Sequence, residues 1–444
     1  MPAPGLVPAP GFVIAAPSSG SGKTLLTLGL LAHLRGRGVD VASAKVGPDY
    51  IDPAFHAAAT GRPCVNLDSW AMRAGSVAGL VARVSAGAEL VVCEGVMGLF
   101  DGAAVAEGVP GGATADVAAL AGWPVVLLID GRGMTGSAAA VLRGFAGHRA
   151  DVRIKGVVFN RVSGDKHKRM IAEACARACP EVEVLGFLPR LEALAVPSRH
   201  LGLVQACEHP DLAAFLEVAA ATVAEHVNVD RLLALAQPSP LVGAAATLLP
   251  PLAGRITVAR DDAFAFAYPA LLEGWRRAGA ELTFFSPLAD QAPDGDAAIY
   301  LPGGYPELHA GRLAGNARFL AGLREAAAAG RPVFGECGGY MVLGQGLTDA
   351  EGFRHTMAGL LPLETSFACR RLHLGYRQAR LLTDTPLGPA GTVFRGHEFH
   401  YASVVAEEGE ALFTIADAAE QPLGTAGLHV GSVFASFVHL IDRT

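Results

Sequence analysis

The chain has 444 residues, 51% hydrophobic and 17% charged. That is enough for two or three domains, and too little charge for a disordered tail or a coiled coil. With 35 basic and 42 acidic side chains the net charge is −7, which disfavours a general nucleic-acid binder.

In the first half, short apolar runs alternate with longer helical stretches. Strands are predicted at Phe12–Ala16, Val39–Ala44, Leu90–Glu94, Pro124–Asp130, Lys155–Asn160 and Val182–Leu188. Helices such as Lys23–Arg35 and Asp165–Cys179 lie between them. Strands apolar throughout are buried on both faces, and the alternation predicts a parallel, doubly wound sheet. Pro238, Pro240, Pro250 and Pro251 punctuate the uncharged stretch Ala236–Gly254 and mark a boundary. Residues 1–240 and 254–444 are thus two α/β domains. Strands of the second are predicted at Arg255–Val258, Leu282–Phe285, Ala297–Leu301 and Pro332–Gly335, with helices at Phe266–Ala278 and Arg312–Ala329. From Leu363 onward the chain is richer in strands and turns.

The 7 cysteines form no C-x-x-C pair and the histidines show no zinc-like spacing, so neither a disulfide framework nor structural zinc is expected. The first ten residues lack the basic and apolar regions of a signal peptide. The longest apolar run, Val117–Ile129, has 13 residues, whereas a membrane span needs about 18. A soluble, cytoplasmic protein is expected, without nucleic-acid or membrane partners.

Ala16-Pro17-Ser18-Ser19-Gly20-Ser21-Gly22-Lys23-Thr24 joins a strand to a helix. Such a loop turns backbone N–H groups towards phosphate, with Lys23 reaching the terminal phosphates and Thr24 ligating Mg²⁺. Pro17 stands where the usual pattern has its first glycine. A partition-type ATPase would carry a second lysine early in the loop; Ser18 occupies that place. Lys45, Asp49 and Asp52 follow the second strand, at the edge where open α/β sheets bind ligands. Glu94 ends another strand, where a buried carboxylate needs a cation. Asn160 ends a third and is either a base-contacting residue or a turn residue.

Gly335-Glu336-Cys337-Gly338-Gly339 follows a strand and precedes a helix, a nucleophile elbow with Cys in place of Ser. A helix N-terminus there is expected to favour the thiolate. The N–H groups of Gly304 and Gly338 are candidates for an oxyanion hole, and His439 is the candidate base.

A phosphate loop and a cysteine elbow in one chain, together with Lys45–Pro53, Glu94–Gly102, Leu301–Glu307, Leu374–Arg377 and Arg395–Tyr401, resemble the cobyrinic acid a,c-diamide synthase family over nearly the full length. The resemblance implies a P-loop, dethiobiotin-synthetase-like amidoligase domain followed by a class I glutamine amidotransferase domain of flavodoxin-like α/β type. It implies ATP and glutamine as substrates, Mg²⁺ as cofactor, a corrinoid polycarboxylate as acceptor and a homodimer. On that analogy Ser19, Gly20, Ser21, Gly22, Lys23, Thr24 and Lys45 bind the phosphates, and Asn160 lies near adenine. Thr24, Asp49 or Asp52, and Glu94 hold the metal, while Asp49, Tyr50, Ile51 and Asp52 border the substrate carboxylate. Many class I amidotransferases place a Glu two residues after the His; here Ile441 stands there and Asp442 follows, leaving the third member of the Cys337–His439 site open. Two basic runs, Arg161–Arg169 and Arg370–Arg377, are candidate contacts for an acidic substrate.

Overall fold

The computed structural model describes residues 8–162, 164–190, 198–199, 202–243 and 247–444. The chain forms two units. The first comprises Met1–Trp70, Ala74–Ala103 and Gly108–Ala246; the second comprises Ala71–Arg73, Ala104–Glu107 and Thr247–Thr444. Two short segments of the N-terminal half thus belong to the second unit, an arrangement that linear composition does not encode. No helix among the described residues is long and apolar enough to cross a membrane.

In the first unit, β1 (Pro10–Ala15), β2 (Val41–Val46), β3 (Val65–Leu67), β4 (Leu90–Glu94), β5 (Val125–Asp130), β6 (Ile154–Asn160) and β7 (Glu183–Phe187) form one sheet in the order β3-β2-β4-β1-β5-β6-β7. Every pairing along this order is parallel. β8 (Ser198–Arg199) and β9 (Gly202–Leu203) pair with each other, and β10 (Gln237–Pro238) pairs antiparallel to β1. Parallel pairing sets the carboxyl ends of β1, β2, β4 and β6 along one edge, which is where the phosphate loop, Lys45, Glu94 and Asn160 lie.

β3 was not expected. It is three residues long with a polar residue at its centre, too little for a pattern to register. Tertiary contacts account for it: the buried Asn66 amide donates to the carbonyls of Gly47 and Asp49 at 2.9 and 2.7 Å, bracing the loop after β2. The apolar run Val117–Ile129 is shared by helix Thr114–Ala121 and β5, with Gly122 at φ 65° reversing the chain between them.

In the second unit, β11 (Arg255–Ala259), β12 (Glu281–Phe285), β13 (Ala298–Leu301) and β14 (Val333–Glu336) are parallel. β15 (Gly346–Thr348), β16 (Arg354–Thr356), β17 (Leu363–Ser366) and β20 (Ser403–Glu407) form a separate small sheet. β18 (His373–Leu381), β19 (Val393–His400), β21 (Ala411–Ala416), β22 (Pro422–Val430), β23 (Val433–Ser436) and β24 (His439–Arg443) complete a ten-stranded sheet in the order β12-β11-β13-β14-β23-β22-β21-β18-β19-β24. β14 pairs parallel with β23, and the pairings beyond β23 are antiparallel.

Two predicted helices are altered. The first starts at Pro269, not Phe266, because the Phe266 N–H bonds to the Gly303 carbonyl and proline suits a first helical turn. The second is broken into Ala310–Gly315 and Ala317–Ala328. Asn316, between them, has non-helical ψ (83°) and donates its side-chain amide to the Pro287 carbonyl at 2.7 Å.

Helix Lys23–Gly36 lies close on helix Leu212–His226 at Gly29, where an added Cβ would stand 2.6 Å from the Ala219 carbonyl oxygen. Alanine gains up to about 1 kcal/mol in helix propensity, but a clash with backbone costs about 1–3 kcal/mol. Gly29→Ala is therefore expected to destabilise the protein in urea unfolding, and equal or higher stability would show that the two helices separate freely.

Candidate functional site

Each unit carries a cluster of buried polar groups where chemistry is expected. In the first, β1 runs into a loop with Gly20 and Gly22 at φ 75° and 101°. An added Cβ at Gly22 would lie 2.5 Å from the Asn160 amide nitrogen. That nitrogen donates to the Ser21 carbonyl at 2.8 Å, and the Asn160 Oδ1 accepts the Arg161 N–H at 2.8 Å. Asn160 thus braces the phosphate loop. Ser19 and Gly20 are exposed, while Ser21 is buried and donates to the Ser18 carbonyl.

Lys23 opens the helix and donates to the Met97 carbonyl. Burial, then the neighbouring Lys45 charge, pull its pKa down. Lys45 is 3% exposed and donates to Asp52 at 2.6 Å, to Glu94 at 3.0 Å and to the Gly95 carbonyl at 3.3 Å. Burial opposes its charge, yet Asp52, Glu94 and Asp49 hold its pKa well above the usual lysine value. Glu94 has no exposure. Its Oε1 accepts the Thr24 hydroxyl at 2.8 Å, and its Oε2 meets His56 Nε2 at 2.7 Å. Burial would raise its pKa, but Lys45, His56 and Thr24 hold it well below the carboxylate range. Burial and the nearby Asp49 push Asp52 up to about 7, against the pull of Lys45.

The two aspartates have different surroundings. Asp52 Oδ2 lies 3.4 Å from the Thr24 hydroxyl, beside Glu94. Asp49 Oδ1 instead accepts the N–H groups of Ile51 and Asp52 at the start of helix Ile51–Thr60, and its other oxygen is 4.0 Å from Lys45. Thr24, Asp52 and Glu94 therefore converge, and their hard oxygen donors fit Mg²⁺. Tyr50 is half-buried and Ile51 buried on the same turn. His56 was not singled out from sequence. It is wholly buried, with Nδ1 3.5 Å from the Cys64 sulfur, and it stands one helical turn after Asp52. That i,i+4 spacing was the available signal.

In the second unit, Cys337 joins β14 to the short helix Gly338–Leu343 with φ 49° and ψ −99°. A non-glycine residue held there marks a constrained turn. Its N–H donates to the Ser436 carbonyl at 2.8 Å. A Cβ at Gly338 would meet the Gly304 nitrogen at 3.0 Å, and one at Gly303 would meet His439 Cε1 at 2.5 Å. The glycine loop therefore touches both the elbow and the imidazole. The His439 ring stacks on His397, its cross-strand neighbour, at 4.8 Å.

The expected thiolate is not favoured here. Burial, then the charges of Glu307, Glu398 and Glu336, push the Cys337 thiol up, against one favourable hydrogen bond from Gly338. Burial and the neighbouring His397 and His400 pull His439 well below 6.5. Both shifts favour the uncharged forms of thiol and imidazole. Asp442 is not a partner of His439: wholly buried, it takes a two-oxygen contact from Arg73, with the shortest approach 2.7 Å.

Glu398 lies between Arg377 Nε at 2.8 Å and His400 Nε2 at 2.9 Å, which, against burial, hold its carboxyl at about 2. His373, Glu398 and His400 are grouped closely enough to suggest a metal. The two rings, however, are stacked at 4.6 Å and 6°. In-plane lone pairs of parallel rings do not converge on one ion, so the group reads as a charge-paired stack. Among the predicted basic runs, Arg161 is paired with Asp130 at 2.6 Å and Arg377 with Glu398, while Arg370 and Arg371 are exposed.

Gly22→Ala adds a side chain at φ 101° and collides with the Asn160 brace. It is expected to weaken ATP binding about tenfold or more by displacing the loop from its phosphate-binding form. Fluorescence titration with a labelled ATP analogue checks this, and wild-type affinity would show that the brace is not needed.

Residues 12–204 match the CobQ/CobB/MinD/ParA nucleotide binding domain family, and residues 255–443 match the CobB/CobQ-like glutamine amidotransferase domain family. A hydrogenobyrinate a,c-diamide synthase of Brucella suis is 55% identical over 97% of this chain and 98% of its own length. The proteins of the same description from Rhodobacter capsulatus and Rhizobium meliloti are 53% and 52% identical, again over 97% of this chain and 98% and 99% of theirs. The chain belongs to the hydrogenobyrinate a,c-diamide synthase family, which joins a CobQ/CobB-type nucleotide-binding domain to a CobB/CobQ-like glutamine amidotransferase domain.

Proposed function

We propose that the protein is a cytoplasmic enzyme of cobalamin synthesis that uses ATP and glutamine to convert the a and c carboxylates of hydrogenobyrinic acid to amides. The observation carrying this reading is identity above half along almost the whole of both chains, so that both domains are matched together.

In the second unit, Cys337 is the nucleophile and His439 the base. The resting pair is neutral, so the Cys337 proton passes to His439 as sulfur attacks the glutamine amide carbon. The N–H groups of Gly304 and Gly338 then face the oxyanion. His439 gives its proton to the departing ammonia, and afterwards activates the water that hydrolyses the thioester.

In the first unit, the loop Ser19–Thr24 cradles the phosphates and Lys23 meets the terminal one. Thr24, Asp52 and Glu94 would hold Mg²⁺, which neutralises charge on the phosphates when bound. Lys45 holds Glu94 ionised and pulls against the burial that raises Asp52. Tyr50 and Ile51 border the substrate, whose carboxylate attacks the γ-phosphate of ATP, releasing ADP and giving an acyl phosphate. Ammonia displaces phosphate from it.

Mass spectrometry of hydrogenobyrinic acid incubated with protein, MgATP and glutamine tests the reaction. Conversion of two carboxyls is expected. Turnover of only the cobalt-containing acid would reassign the acceptor, and no conversion of either would overturn the reading. Cys337→Ser is expected to abolish glutamine-driven amidation while retaining the ammonia-driven reaction, and Lys23→Ala to abolish both.

The pH profile follows from His439. A base must be unprotonated, and a depressed pKa keeps it so to lower pH. The acid limb of kcat/KM for glutamine hydrolysis is expected below 6.5, with none between pH 6.5 and 8. A limb centred at 6.5 or higher would show that a different group is the base.

A further inference from the structure

Glu336 is a buried carboxyl that the steps above do not use. It ends β14, one residue before Cys337, and is 1% exposed. Its Oε1 accepts the Leu440 N–H at 2.8 Å, and its Oε2 accepts the Tyr300 hydroxyl at 2.6 Å. Leu440 directly follows His439. Tyr300 lies on β13 and is itself fixed, stacked on Phe334 at 5.6 Å and edge-on to Trp275 at 5.3 Å. One carboxyl therefore ties the strand that presents the nucleophile to the strand that presents the base.

The position of His439 depends on such a tie. β24 is the last strand in the order of the sheet, and its pairing with β19 shifts register between Arg395 and Gly396, opposite Asp442 and Leu440. A register shift re-aims side chains, so a bond that fixes the backbone at this point also bears on where the His439 side chain is aimed. A buried N–H also needs an acceptor, and Glu336 supplies it for Leu440.

This step rests on the assignment of Cys337 and His439 made above. We infer that Glu336 is a positioning residue of the amidotransferase, accepting the Leu440 N–H and so fixing where the His439 imidazole stands relative to Cys337. It does through the backbone what a Glu two residues after the His does through a side chain elsewhere. Ile441 occupies that place here, and Asp442 is held by Arg73. Burial pushes the Glu336 carboxyl up to about 7, against the Tyr300 and Leu440 hydrogen bonds. Its ionised and neutral forms both present an oxygen to Leu440, so reach, not charge, is the property required.

The test compares full-length Glu336→Gln, Glu336→Asp and Glu336→Leu with wild type. Sites are titrated with 6-diazo-5-oxo-L-norleucine, a glutamine analogue that alkylates the nucleophile, and glutaminase turnover is expressed per titrated site. A folding defect lowers the number of sites; a positioning defect lowers turnover per site. Glu336→Gln keeps an oxygen at the same reach and is expected within about fivefold of wild-type kcat. Glu336→Asp, one methylene shorter, and Glu336→Leu are expected to lose about 100-fold, with KM for glutamine changed less than about threefold. Ammonia-driven amidation by the same samples reports that each variant is folded. An Asp variant as active per site as the Gln variant would overturn the inference. If the Leu variant fails to fold, the Gln–Asp comparison decides by itself. Cys337→Ser is measured alongside: glutaminase surviving there would overturn the Cys337 assignment, a failure distinct from a Glu336 series with unchanged turnover.

Discussion

An ionised carboxylate without access to solvent persists only when cations or donors grip it. Glu94 meets that condition with Lys45 and Thr24 on one oxygen and His56 on the other. Removing one partner of such a buried pair costs about 3–5 kcal/mol, because the remaining charge has nowhere to go. The rest of the first site is arranged around this constraint. β4 must run beside β1 and β2 for Glu94 to meet Thr24 and Lys45, and the helix after β2 must start where Asp52 also reaches Lys45. Asn66 and Asp49 serve that start, one bracing the loop and the other accepting its first N–H groups. What results is a set of oxygen donors and lysines gathered at the carboxyl ends of β1, β2 and β4.

The second unit handles burial in the opposite way. It does not pair its reactive groups as ions but leaves them neutral, with the thiol raised and the imidazole lowered. Glu398 keeps its charge by spending it on Arg377 and His400. The backbone around the two residues is marked by the positive φ of Cys337, the close glycine faces at 303, 304 and 338, and the hydrogen bond from the Leu440 N–H to Glu336.

Sequence by itself determined the strand–loop–helix of the phosphate site, the cysteine elbow, the parallel alternation and the acids and lysines at strand ends. These are local: each needs only a run of apolar residues, a glycine at the right place, or a polar residue closing a buried strand. Their spacing along the chain carries the information, and Lys23, Thr24, Lys45, Glu94 and Cys337 are all legible in that way.

Tertiary structure alone decided which neighbour each polar group takes. The choice between Asp49 and Asp52 turned on a helix start that gives the first to backbone N–H groups and the second to Lys45 and Thr24. Asn160 became a brace because its strand ends beside Ser21, 139 residues away in sequence. Asp442 is taken up by Arg73, 369 residues distant, and the Cys337 thiol is raised by burial that no local pattern reports. Hydrogen-bond partners and desolvation depend on what the fold brings within about 3–4 Å, and that is a property of the packed chain, not of its spacing.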